Sequence, residues 1–147
     1  MLSADKKGIA RGFATGVAIS FTPFVGFHTL IALSISHYTH QNKTASVFGT
    51  LTGNPWTFPL IWYLDWQTGC LIAHNIEIIL PKDISIIFKE AFSALITLDF
   101  SVFFADIWPI YKVVLIGCIP YCIITWVLMS HIVAKMLIKI PLKGEIE

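Results

Sequence analysis

The chain has 147 residues, of which 56% are hydrophobic and only 13% charged, with a formal net charge of +1. Soluble domains carry about 25% charged residues, so too few polar groups are present to cover a water-exposed surface, and the mean hydropathy of +0.75 points the same way. The near-neutral charge gives no global field to recruit nucleic acid or acidic substrates, and the length suits a single domain over residues 1–147.

The first apolar stretch, residues 8–38, has Lys6 and Lys7 just before it and Arg11 in its first turn. It is too long and too interrupted for a cleaved signal peptide, because it continues past Leu33 with no small-residue cleavage site. It opens with Gly8, Gly12, Gly16 and Ser20, small residues at every fourth position on one helix face. Such faces let membrane helices pack backbone on backbone. Gly8, Gly12 and Gly16 are therefore expected to be helix-packing residues, and a homodimer through this face is expected. Pro23 and Gly26 then interrupt the stretch. An unbroken helix of this span would be about 45 Å long, against a hydrocarbon core of about 30 Å. A re-entrant hairpin or a kinked crossing is expected instead.

The second stretch, residues 45–80, is interrupted at Gly53, Asn54, Pro55, Trp56, Thr57, Phe58 and Pro59. Asn-Pro is a turn signal and Pro59 adds a second break. Two half-helices are again expected to meet there. Trp56, Trp62, Tyr63 and Trp66 suit the membrane interface, and Asp65, between two of them, is expected at the headgroup level. The third stretch, residues 84–100, carries Ser85, Lys89, Ser93 and Thr97 as one polar stripe and reads as an interfacial amphipathic helix. The fourth, residues 113–134, has no formal charge, a Gly117–Pro120 kink signal, and Lys112 and Lys135 as anchors at its ends. It reads as a transmembrane helix. Lys139 and Lys143 lie beyond it. Basic residues at both ends of the chain predict cytoplasmic termini, and hence an even number of crossings.

Broken helices expose N–H and C=O groups that cannot face lipid. The two breaks are therefore expected to pack on each other, and paired breaks point to a binding site in transporter folds. The candidate substrate-binding residues are Pro23, Gly26 and His28 at the first break and Asn54, Pro55 and Thr57 at the second. For each polar one the competing role is to satisfy the freed backbone groups. Arg11 reads as a cytoplasmic anchor, with lipid phosphate contact as the alternative. Cys118 and Cys122 share a helix face as small packing residues, and the odd count of cysteines argues against a disulfide scaffold or zinc site. His74 and Glu77 are spaced i, i+3, but a di-iron site needs several carboxylates and two histidines. No metal site, cofactor or catalytic residue is expected, nor is enzyme activity.

The run Gly12-Phe13-Ala14-Thr15-Gly16, followed by Pro23, Gly26 and His28, resembles the first motif of a bacterial membrane family catalogued as domain of unknown function 2062. Asn42, Gly49, Asn54-Pro55, Thr57, Pro59 and Gly69 resemble its second. The likeness covers residues 10–71, with a fainter echo at 117–121. It implies a small helical inner-membrane domain, of a kind sometimes fused to glycosyltransferases, and carries over no catalytic residue. The resulting expectation is an all-α, polytopic membrane bundle. It has two Pro/Gly-broken hairpins (core residues 8–80), an interfacial helix and a C-terminal transmembrane helix in the bacterial inner membrane. Its expected partners are membrane lipid and a second copy, with no nucleic acid. The expected function is transport or translocation of a polar or lipid-linked molecule at the broken helices. The alternative is a non-transporting scaffold for cell-envelope enzymes.

Overall fold

The computed structural model describes residues 4–73 and 108–139, and among these there are five helices and no strand. They are α1 (Ala4–Ser20), α2 (His28–Tyr38), α3 (Lys43–Thr50), α4 (Phe58–Ile72) and α5 (Trp108–Ile138). The expected interfacial helix at 84–100, and His74 and Glu77, lie outside the described residues.

The sequence punctuation sets these boundaries. Proline disfavours helical backbone in the residue before it, and α1 stops at Ser20, just short of Thr22-Pro23. The Thr22 hydroxyl donates to the Ile19 carbonyl at 2.6 Å, satisfying one of the last acceptors of α1. Gly26 then takes φ +85, a left-handed conformation that L side chains rarely adopt. Asn42 caps α3 by accepting the Ala45 N–H at 2.8 Å. Pro59 sits in the first turn of α4, where no N–H is required. The helix α5 runs through Pro120 and extends beyond the expected 113–134 on both sides.

The register of contacts defines the topology. The Asn42 N–H donates to the Gly8 carbonyl at 3.1 Å, and the Ser20 hydroxyl donates to the Thr50 carbonyl at 3.1 Å. Helices α1 and α3 are therefore parallel, and α2 returns the chain between them from the far end of α1 to its near end. The first stretch is thus a helical hairpin. Helix α5 is antiparallel to α1. The Cys122 thiol reaches the Ala18 carbonyl at 3.2 Å and the Trp126 indole reaches Thr15 at 3.1 Å. Helix α4 packs antiparallel on α5, with Gly69 against Val113 and Gly117 against Asp65.

One expectation is corrected here. The second stretch is not a hairpin: α3 and α4 do not pack on each other. Both run opposite to α5, so together they make one interrupted helix. Most of the small-residue face of α1 is packed within the chain. A Cβ on Gly16 would lie 2.8 Å from the Gly49 Cα and 2.8 Å from the Thr50 nitrogen. One on Gly12 would run into the Asn42 carbonyl. Helix α3 of the same chain covers this face because hydrogen at those positions lets the two backbones touch. Gly8, at the rim, is only in ordinary contact distance of Asn42.

The interior is unusual in its content. Ala14, Ala32, Ser20, Ser36, Ser46 and Asp65 have no exposed surface, whereas Leu30, Phe48, Trp56, Leu60, Ile123 and Met136 are each 60% exposed or more. Among the described residues most of the fully buried side chains are small or polar, with Val113 the large apolar exception and Val17 and Ile61 nearly buried, while many large apolar side chains lie outside. One described helix, α5, is long and apolar enough by length and composition to cross a membrane.

Candidate functional site

The two breaks lie side by side at the far end of α1 and α3. A Cβ on Gly53 would lie 2.8 Å from that of Ser20. The Thr29 and Thr50 hydroxyls are 3.4 Å apart. The ring of His28 stacks on Phe58 with centroids 5.5 Å apart, and Phe58 stacks in turn on Trp62. From α5, the Tyr111 hydroxyl donates to the Pro23 carbonyl at 3.3 Å.

The polar groups at the breaks satisfy one another. His28 is buried, and its Nε2 lies 2.9 Å from the Thr22 carbonyl. A carbonyl only accepts, so Nε2 carries the proton in this contact. The Asn54 side-chain carbonyl accepts the N–H groups of Trp56 and Thr57 at 3.0 and 3.2 Å. The Thr57 hydroxyl accepts the Asn54 N–H at 3.0 Å and donates to the Thr52 carbonyl at 2.9 Å. Pro55 and Gly26 are exposed at the turn tips. Of the six candidate residues, the fold brings the two groups of three to one end of the bundle, but no hydrogen bond joins His28 to Asn54 or Thr57 among the described residues. Each group closes its own turn.

A different residue carries the chemical oddity. Asp65, which the sequence pattern puts at the headgroup level, is instead fully buried, and neither carboxylate oxygen has a hydrogen-bond partner among the described residues. It sits where α4 and α5 touch at Gly69 and Gly117. The aromatic neighbours Trp62 and Trp66 point to an interface. The overlooked signal is the i+4 row Ile61, Asp65, Gly69, which forms the buried face of α4. An unpaired buried carboxyl costs several kcal/mol by order of magnitude if charged, so packing alone does not account for it. Among the described residues, no three His, Cys, Asp or Glu side chains gather where a metal ion would bind.

Two cavities lie along the seam of α1 and α5. The larger, about 390 Å³, is lined by Ala18, Ile19, Ile35, Ile123, Trp126 and Gln41 among others. Its polar end is a relay in which the Trp126 indole donates to Thr15, and Thr15 donates to the Gln41 side-chain carbonyl at 2.7 Å. The smaller, about 130 Å³, is lined by Lys7, Ala10, Arg11, Ser130, His131 and Ala134. Of these, Lys7 stands out in the sequence only as a basic flank and Arg11 as an anchor with lipid phosphate contact as the alternative, while their pairing with Ser130 and His131 joins segments more than 100 residues apart.

The fold and these features define a class: a helical bundle with small and polar residues inside, an interrupted helix and one apolar helix of spanning length. The family model described as "Uncharacterized protein conserved in bacteria (DUF2062)" matches residues 1–143, and the chain belongs to that family. No curated protein matches the chain, and no solved structure matches it.

Proposed function

We propose that this chain is a multi-pass protein of the bacterial inner membrane, with both termini cytoplasmic, that acts in transport or translocation of a polar or lipid-linked molecule. The membrane part of this reading rests on the inverted distribution of side chains. A soluble bundle buries its leucines, isoleucines and phenylalanines. Between helices in lipid there is no hydrophobic drive to bury them, and small residues and hydrogen-bonding hydroxyls fill the contacts. The topology supports the orientation. The α1–α2 hairpin enters and returns, the interrupted α3–α4 helix crosses, and α5 crosses back. Two crossings leave both basic termini on one side.

The transport part rests on one observation, the buried and unpartnered carboxyl of Asp65 in the interrupted helix. Ionisable side chains inside membrane segments are costly, and they mark substrate or ion pathways. The six break residues are assigned to building the turns, because His28, Asn54 and Thr57 each make hydrogen bonds to the turn backbone there. The self-contained packing of the breaks favours a second reading, a scaffold for cell-envelope enzymes. The two separate by substitution. Asp65→Asn and Asp65→Leu variants that reach the membrane at wild-type levels are expected to fail to complement a deletion strain. Full complementation by both would remove the transport reading and leave the scaffold.

A further inference from the structure

The two cavities follow one another along the seam of α1 and α5. Thr15 and Trp126 line the larger, while Arg11 and Ser130, one turn further along α1 and α5, line the smaller. Moving along the seam, the lining changes from Ile19, Ile35 and Ile123 through the Thr15–Gln41–Trp126 relay to Lys7, Arg11 and His131. Among the described residues, none of the lining side chains is acidic. His131 holds the Val127 carbonyl through Nδ1 at 2.9 Å, which turns its Nε2 away as a further polar contact. The basic end lies toward the start of α1 and the end of α5, where the membrane reading puts the cytoplasmic headgroups.

We propose that the two cavities form one groove that binds a phosphate-bearing membrane lipid, with the phosphate held by Lys7 and Arg11 beside His131 and one acyl chain in the apolar cavity. The charge order selects this occupant. A neutral lipid would leave the cations unused, and a soluble anion would leave the apolar length empty. Guanidinium is suited to phosphate through paired N–H donors, and basic residues near a membrane surface each add about 1 kcal/mol of attraction to anionic lipid. The larger cavity falls within the roughly 300–1,000 Å³ of small-molecule sites. The proposal deepens the reading of a membrane protein handling lipid-linked molecules, and it names the chemistry of that ligand.

The test is native mass spectrometry of the full chain released from neutral detergent, titrated with phosphatidylglycerol, diacylglycerol or inorganic phosphate. Phosphatidylglycerol is expected to give a single retained adduct that neither of the other two gives or displaces. The double variant Lys7→Gln/Arg11→Gln is expected to weaken it by roughly ten- to thirtyfold. Ile123→Trp, at a position that is 60% exposed yet lines the cavity, is expected to weaken it without disturbing the fold. Equal adducts with diacylglycerol, displacement by inorganic phosphate, or unchanged binding in the double variant would each overturn the proposal. Because binding is read on purified protein, its failure is distinct from failure of the Asp65 complementation test.

Discussion

Gly16 is where the packing is tightest, and Gly16→Ala probes it directly. The added methyl would lie 2.8 Å from the Gly49 Cα and from the Thr50 nitrogen, and would run into the Ser46 carbonyl. These are all backbone atoms, so no side chain can rotate away. Helices α1 and α3 must separate, and overpacking of this kind costs about 1–3 kcal/mol. The same substitution gains about 1 kcal/mol of helix propensity. With rigid neighbours the upper end of the cost applies, giving a net loss of about 2 kcal/mol. Gly8→Ala is the internal control. Its methyl would be 3.8 Å from the nearest atom, so the propensity gain of about 1 kcal/mol stands alone. Thermal melting in detergent should place Gly16→Ala below wild type by roughly 4–8 °C and Gly8→Ala at or slightly above it. If Gly16→Ala melts together with Gly8→Ala, the α1–α3 contact is not as described.

His28→Ala should lower stability by about 1–3 kcal/mol, because the buried Thr22 carbonyl loses its donor; an unchanged melting curve would show that another donor replaces it. Asn54→Ala should cost about 1 kcal/mol through loss of the acceptor for two turn N–H groups, read by the same melt and by faster amide exchange at Trp56 and Thr57. Asp65→Leu should melt at or above wild type, since an unpaired buried carboxyl is replaced by a side chain that suits its surroundings. A loss of several degrees would mean that Asp65 has a stabilising partner.

The positions of the breaks were legible because proline and glycine act on their own backbone. Pro23 disfavours helix in the residue before it, Gly26 supplies a positive φ, Asn54 accepts two turn N–H groups, and Pro59 fits the first turn of a helix, so helix ends and starts fall at these residues. The direction the chain takes after each break was not legible. The same kind of punctuation yields a hairpin between α1 and α2 and an interrupted helix between α3 and α4. The difference lies in what the next helix packs against: α2 returns along α1 and α3, whereas α4 continues onto α5. The glycine face of α1 announced a close helix contact, but the covering element, α3, begins some 30 residues later and carries its own small residue, Gly49, at the match. Asp65 was misplaced because its aromatic neighbours outweighed the buried row Ile61, Asp65, Gly69. The proposed lipid groove was legible only as a phosphate-contact alternative for Arg11, because its walls depend on the pairing of α1 with α5, which no local pattern encodes.

The central claim is that this small- and polar-centred bundle lies in a membrane with both ends on the cytoplasmic side. Cysteine accessibility tests it most directly, in a background with Cys70, Cys118 and Cys122 replaced by alanine. Single cysteines are introduced as Lys7→Cys, Ile123→Cys and Lys139→Cys. A membrane-impermeant maleimide is applied to spheroplasts and to inverted vesicles. Lys7→Cys and Lys139→Cys should react in inverted vesicles and not in spheroplasts, and Ile123→Cys in neither, although Ile123 is 60% exposed on the bundle surface. Ready labelling of Ile123→Cys, or termini that react from opposite sides, would contradict the account.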